Sequence, residues 1–215
     1  MNGNWFDRLE RRFGRYAVPN LTSILVGGQI VVYAIALFVN RNIASSLALY
    51  RPAILSGQVW RLVSFLFVPF GGSDLLSFAL TAYFTWFIGS ALEREWGDFR
   101  YGMFLLLQTL GAILACFVTG WADTYCLSLS LLLAFAALYP EMQVLLFFVL
   151  PIRVKYIGIV AGVLWLYSFL TAGWSLRLNY LCCMLGFWVF FGPVLYRSLR
   201  AWYRREQWKR NNRRW

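Results

Sequence analysis

Five stretches of this chain, residues 21–39, 75–92, 101–118, 154–172 and 178–196, are apolar over lengths that reach or approach what a membrane crossing needs. A helix crosses roughly 30 Å of hydrocarbon with about 17–25 such residues. Residues 124–139 form a shorter apolar run that stops at Pro140, which a helix interior cannot easily pass. We count it as a sixth span shielded by its neighbours. Two stretches fit this scheme poorly: 53–70 carries Trp60-Arg61 at its centre, and 140–152 is bounded by Pro140 and Pro151.

Composition agrees with a membrane class. Only 13% of the residues are charged, against roughly a quarter in soluble domains. Eleven Trp and 12 Tyr suit a protein with two membrane–water interfaces, where amphipathic rings collect. The sequence therefore predicts an all-α polytopic membrane protein: a six-helix bundle over 21–196, with a long interfacial loop between its first two helices.

Positive charge chooses between six and seven crossings. With six, both ends lie in the cytoplasm. That side then holds Arg8, Arg11, Arg12 and Arg15, Arg94 and Arg100, Arg153 and Lys155, and eight basic residues from Arg197 onward: 16 of the chain's 20. Arg41, Arg51, Arg61 and Arg177 remain outside. A crossing at 53–70 would export the basic tail, against the positive-inside rule. The reading places the chain in the inner (plasma) membrane.

Residues 1–20 show no short apolar core or small-residue cleavage site of a secretory leader. Phe6, Leu9, Phe13 and Tyr16 fall at helical spacing, as in an amphipathic helix lying on the cytoplasmic surface. The tail, 197–215, interleaves Trp202, Tyr203, Trp208 and Trp215 with its charges. That pattern can serve nucleic acid, but a basic segment just cytoplasmic of a span is drawn to anionic lipid. We assign it to lipid, with no nucleic-acid partner.

Metal and cofactor sites have no sequence signal. The four cysteines, Cys116, Cys126, Cys182 and Cys183, sit in apolar stretches without CxxC spacing. No glycine loop of phosphate-binding type is present.

Three local patterns remain. Gly57-Gln-Val-Trp60-Arg61-Leu lies in the loop after the first span. Gly89-Ser-Ala-Leu92-Glu93-Arg-Glu-Trp-Gly97 closes the second. A run ending Leu-Tyr139-Pro140 leads through Val144-Leu-Leu-Phe-Phe-Val-Leu-Pro151 to Lys155. In order and spacing these resemble the rhomboid superfamily, the intramembrane serine proteases and their inactive, derlin-like relatives, over about 57–192. The resemblance implies a six-helix fold in which Trp60, Arg61, Gly89, Leu92, Glu93, Gly97, Pro140 and Gly186 are structural motif positions. It also says where catalytic residues would stand. Counting back from Pro140 puts the nucleophile position at Tyr125, with Asp123 and Cys126 at its flanking glycines. Anchoring on Gly186 puts the base position at Cys183, and counting back from Gly89 puts the oxyanion pair at Ser77 and Thr81. All four positions have changed type.

The chemistry points the same way without any alignment. A serine hydroxyl needs a neighbouring base, and the chain has no histidine. Its lysines, Lys155 and Lys209, fall on the cytoplasmic side of the scheme. Ser128 and Ser130 lack a base on the other face. The reading is a catalytically inactive rhomboid-like protein that binds transmembrane segments of client or partner proteins, as an adaptor in membrane-protein quality control. A structural subunit of a larger membrane complex is the alternative, and an active intramembrane protease a lesser one. A bulky aromatic at Tyr125 is expected to fill the former catalytic hollow.

Overall fold

Glycine, proline and one acidic cap set the boundaries of the helices. The computed structural model describes residues 11–12, 14–39, 42–68, 74–122, 124–146 and 150–192. Residues 1–10 of the leader, Asp123 and the whole basic tail lie outside them.

Helix α1, Leu21–Phe38, is followed by α2 (Ile43–Leu47), a two-residue strand β1 (Leu49–Tyr50), α3 (Arg51–Leu55), α4 (Arg61–Ser64) and a 3-10 turn at Phe65–Phe67. These pieces are far too short to cross a bilayer, so the described part of the 53–70 stretch is a folded loop. Helix α5, Leu75–Trp96, opens at Asp74, whose carboxylate accepts the Ser77 N–H at 3.0 Å. It ends at Gly97, with φ +78°, a backbone state that favours glycine. From there α6, Asp98–Thr119, returns and stops at Gly120, with φ +97°. Strand β2, Trp121–Ala122, pairs antiparallel with β1, tying the loop to the end of α6.

Helix α7, Tyr125–Leu138, has 14 residues and spans about 21 Å, short of the hydrocarbon thickness. The stretch after Pro140 is a hairpin of β3 (Gln143–Leu146) and β4 (Leu150–Arg153). Pro151 sits opposite Leu145 there, where a proline lacking its N–H is tolerated only because the ladder is short and two-stranded. Helix α8, Val154–Thr171, follows directly. The last described segment departs from a single straight span over 178–196. It is two helices, α9 (Trp174–Cys183) and α10 (Leu185–Gly192), bent by 57°. The helix breaks at Met184, whose backbone leaves the helical region at φ −97°, ψ 17°.

Among the described residues, α1, α5, α6 and α8 are long and apolar enough to cross a membrane, and the bent pair raises the number to five. The molecule is a mostly helical, multi-pass membrane protein with four to five candidate spans. Helix α7, expected from the sequence as a shorter sixth span, is 14 residues long and falls outside this group, and the last span is bent.

Packing runs through small residues, as helix pairs in lipid require, since no hydrophobic effect drives them together. Helix α9 lies along α6, where Gly111 leaves room for the Cys182 carbonyl. Gly158 of α8 meets Ala136 of α7, so the Gly158-x-x-x-Gly162 pair faces within the molecule. A Cβ on Gly186 would stand 2.9 Å from the Phe104 carbonyl and from Gln108 Cγ. That fixes α10 against α6. Leu92, Phe104 and Ala134 are fully buried at the centre of the main core. A second cluster under the loop joins Leu49, Phe65, Ala115, Cys116 and Cys183.

Candidate functional site

Arg61 stands at the start of α4, and its guanidinium gathers the loop. Nε donates to Gln58 Oε1 at 2.7 Å, and Nη1 donates to the carbonyls of Ser45 at 2.9 Å and Ala48 at 2.8 Å. A planar fork presents donors from two nitrogens in a fixed, spread geometry, whereas an ammonium is a single point donor. Trp60, just before it, is more than half exposed, the position of a ring at a membrane interface. Its carbonyl accepts from the N–H groups of Val63 and Ser64, closing the turn.

The second motif forms a lock between α1 and α5. Helix α1 opens at Asn20, which takes a left-handed conformation and provides no side-chain cap. The cap comes instead from Glu93: Oε1 accepts the Leu21 N–H at 2.7 Å, and Oε2 the Thr22 N–H at 3.4 Å. A carboxylate at a helix N-terminus meets both orphan donors and the positive end of the dipole. Thr22 then donates from Oγ1 to the Tyr101 hydroxyl at 2.9 Å. Gly89 lies over this pair, and a Cβ there would come within 3 Å of both side chains. Leu92 is fully buried beside them. Gly97 matters differently: its Cβ position is open, and its positive φ is what requires glycine.

Of the four degenerate positions, Thr81 and Tyr125 line one cavity, and Ser77 and Cys183 are not among its lining residues. Ser77 gives its N–H to Asp74, which holds that carboxyl below its ordinary range, and its carbonyl accepts the Thr81 hydroxyl at 2.8 Å. Both groups thus serve the first turns of α5 itself. Cys183 is buried in the cluster beneath the loop, and its thiol donates to Asn179 Oδ1 at 3.1 Å. Tyr125 stands at the first turn of α7 and is 37% exposed. It does not plug a hollow as expected; it lines one.

That hollow is a cavity of about 410 Å³ whose walls come from α5, α7 and α8, with Val144 of the hairpin at one end. Thr81 and Tyr125 share it, together with Ser128, while Cys183 belongs elsewhere. Ser130 is fully buried and turned back onto its own helix, donating to the Leu127 carbonyl at 2.8 Å. At the hairpin base, Glu141 pairs with Lys155 at 2.7 Å and Arg153 at 2.9 Å, and the Lys155 contact draws its pKa down. Pro140 ends α7 nearby, and its carbonyl accepts the Lys155 N–H at 3.3 Å. The Tyr139 hydroxyl donates to Glu95, tying the hairpin base to the end of α5 and raising the phenol's pKa.

Three polar residues inside the spans escaped the motif reading. Gln29 donates to the Leu66 carbonyl at 3.3 Å, holding the loop to α1. Asn179 donates to Thr119 Oγ1 at 3.0 Å and the Trp121 carbonyl at 3.2 Å, joining α9 to β2. Gln108 is fully buried, and both ends of its amide lack a partner among the described residues. Each is an isolated amide in an apolar run, and a polar side chain at that depth is the signal that could have found them. Among the described residues no three His, Cys, Asp or Glu side chains converge as metal ligands would.

Fold and site define an all-α, multi-pass membrane protein with a hydrogen-bonded loop and a lateral apolar cavity. No protein-family model matches the chain, no curated protein matches it, and no solved structure matches it.

Proposed function

We propose that this chain is a catalytically inactive, rhomboid-like membrane protein that binds transmembrane segments of client or partner proteins. The observation that carries the reading is a division of labour among the motif positions. Arg61, Gly89 and Glu93 make the contacts of a scaffold, while Tyr125 and Cys183 stand in different surroundings, the second with its thiol on an amide. A nucleophile needs a base within hydrogen-bond reach, and no histidine exists to serve.

The binding surface in this reading is the outer face of α8, of whose 18-residue window only 11% is buried. Ile159, Val163, Leu166 and Leu170 lie exposed along it, enough apolar surface for a second helix to pack on. The short α7 and the folded loop leave the protein thin on one side. A thinner bilayer lowers the cost of exposing a client helix's polar residues, by fractions of a kcal/mol per ångström of mismatch. In this reading α7 and the bent pair each count as a crossing, giving six spans and both termini in the cytoplasm of an inner membrane. The basic tail lies on anionic lipid.

The test is affinity purification of the full chain in mild detergent after crosslinking in the membrane. Many membrane proteins at low stoichiometry support the client-binding adaptor, whereas one stoichiometric companion replaces it with a structural subunit. A fluorophosphonate probe is applied to the same preparation. Specific serine labelling, abolished by Ser128→Ala or Ser130→Ala, would overturn the inactive reading.

A further inference from the structure

The last apolar span breaks at Met184 without a cause in its own sequence. Sharp kinks arise at proline, at Gly/Ser pairs, at π-bulges, or where a side chain or water inserts into the hydrogen-bond ladder. Residues 181–185 read Leu-Cys-Cys-Met-Leu, which a helix accommodates. The break has a cost in the ladder. In a continuous helix the Cys182 carbonyl would accept the Gly186 N–H, and here it takes the Met184 N–H instead. Inside hydrocarbon no solvent makes good such a loss. The bend is therefore imposed by what α9 and α10 pack against.

The two halves are held differently. Polar side chains anchor α9: Asn179 donates to Thr119 and to the Trp121 carbonyl, and the Cys182 carbonyl seats against Gly111. Helix α10 is held by rings. Phe190 stacks on Trp96 with 5.4 Å between centroids and meets Phe104 edge-on at 5.5 Å, and Phe191 lies 5.8 Å from Trp96.

The polar atoms beneath those contacts are unpaired. Among the described residues, the buried side-chain nitrogens and oxygens without a hydrogen-bond partner are Trp96 Nε1, Trp165 Nε1 and both amide atoms of Gln108. They come from α5, α8 and α6, and all three side chains pack on α10. Trp96 meets Phe190 and Phe191, Gln108 lies against Gly186, and Trp165 meets Trp188 at 6.3 Å. Each such atom opposes the docked position by the cost of a stranded hydrogen-bonding group. Ring packing thus favours the bend, while the interrupted ladder and the covered polar atoms favour its release. Packing that balances in this way gives two discrete positions rather than a continuous range.

We propose that α10 is a hinged segment that swings about Met184, either docked as seen here or lifted and continuous with α9. Eight residues at helical rise are about 12 Å long, so straightening a 57° bend carries the far end through roughly 11 Å. The swing uncovers Trp96 at the end of α5 and leaves α9 in place on α6. It is separate from the client-binding reading, which rests on the outer face of α8.

The experiment measures a distance in the full chain, reconstituted in lipid vesicles. A ketone-bearing amino acid replaces Arg94 and Gly192 and carries nitroxide labels, so the native cysteines stay untouched. Arg94 is exposed near the end of α5, and a side chain at Gly192 meets open space. Pulsed dipolar EPR should resolve two separations, the longer by up to about 11 Å. Gly186→Ala puts a methyl 2.9 Å from the Phe104 carbonyl, and Phe190→Ala removes the ring contacts with Trp96 and Phe104. Both should enrich the longer separation, and one reports if the other fails to give a monodisperse protein. Gln108→Leu, added to either, removes two unpaired atoms from the docked position and should lower the lifted-to-docked ratio about tenfold. A single short separation in both variants, one broad distribution as from a frayed helix end, or a ratio that Gln108→Leu leaves unmoved would each overturn the proposal.

Discussion

Replacing Arg61 by alanine removes three hydrogen bonds at once, and the structure says which of them count. The Ser45 carbonyl is exposed and can turn to water when the guanidinium leaves. The Ala48 carbonyl and the Gln58 amide are partly buried beneath the loop, so their loss leaves acceptors without a donor. Stranding one such group costs about 1–3 kcal/mol, and bonds to a charged donor lie toward the upper part of that range. Partial exposure pulls the sum back, and we expect Arg61→Ala to destabilise the protein by about 1–3 kcal/mol. For a chain of this size that is a melting-temperature drop of roughly 2–12 °C.

The assay is thermal unfolding in a mild detergent, followed by intrinsic fluorescence, with two comparisons. Arg94→Ala, exposed in the last turn of α5, should fall within about 0.5 kcal/mol of wild type. Arg61→Lys should lie between, because one ammonium cannot reach Gln58 and both carbonyls together. If Arg61→Ala and Arg94→Ala melt alike, the guanidinium does not hold the loop and the reasoning fails.

Glu93→Ala should unfasten the start of α1, costing about 1–3 kcal/mol, while Glu93→Gln keeps one acceptor and should cost less; the same melts decide. Gln108→Leu removes a buried amide with no partner among the described residues, so its melt should be unchanged or raised; a loss above about 1 kcal/mol would refute this. The contact of Glu141 with Lys155 lowers its carboxyl pKa in the folded state, so its contribution is complete above the ordinary carboxylate range and lost as pH falls through the lowered value. Amide protection factors over 141–155, corrected for the intrinsic exchange rate at each pH, should therefore fall on acidification in wild type, and Glu141→Gln should flatten that dependence. Reporter fusions after Trp215 should read cytoplasmic, and an external tail would end the six-span proposal.

The long helices were legible because length and hydropathy alone decide whether a segment can cross. The loop over the described residues 53–68 was legible through charge, since a crossing there would set the basic tail against the positive-inside rule. The break at Met184 was not. Residues 178–196 carry no charge and only Asn179 as a strongly polar side chain, and Gly186, just past the bend, meets Phe104 and Gln108 on another helix, far away in sequence. The hairpin was half legible: Pro140 and Pro151 excluded a helix, but the pairing of Gln143 with Arg153 needed the three-dimensional register. Glu93 stood out as part of a motif, yet its role depends on an N–H group 72 residues earlier, and no local pattern carries that. Tyr125 shows the reverse case, where side-chain volume suggested a plug and the exposure of the first turn of α7 made it a wall.

These cases share a cause in the solvent. Within hydrocarbon every backbone donor and acceptor must find a partner in the protein, so straight helices need no help and each departure from one does. The departures here coincide with the isolated polar side chains. Asn179 meets the strand that ends α6, Gln29 and Arg61 meet carbonyls of the folded loop, and Glu93 meets the uncapped start of α1. Removing one of them should therefore loosen the particular joint it holds. The lateral cleft remains as the described feature that backbone satisfaction does not account for, since its walls are side chains and its floor is an intact helix.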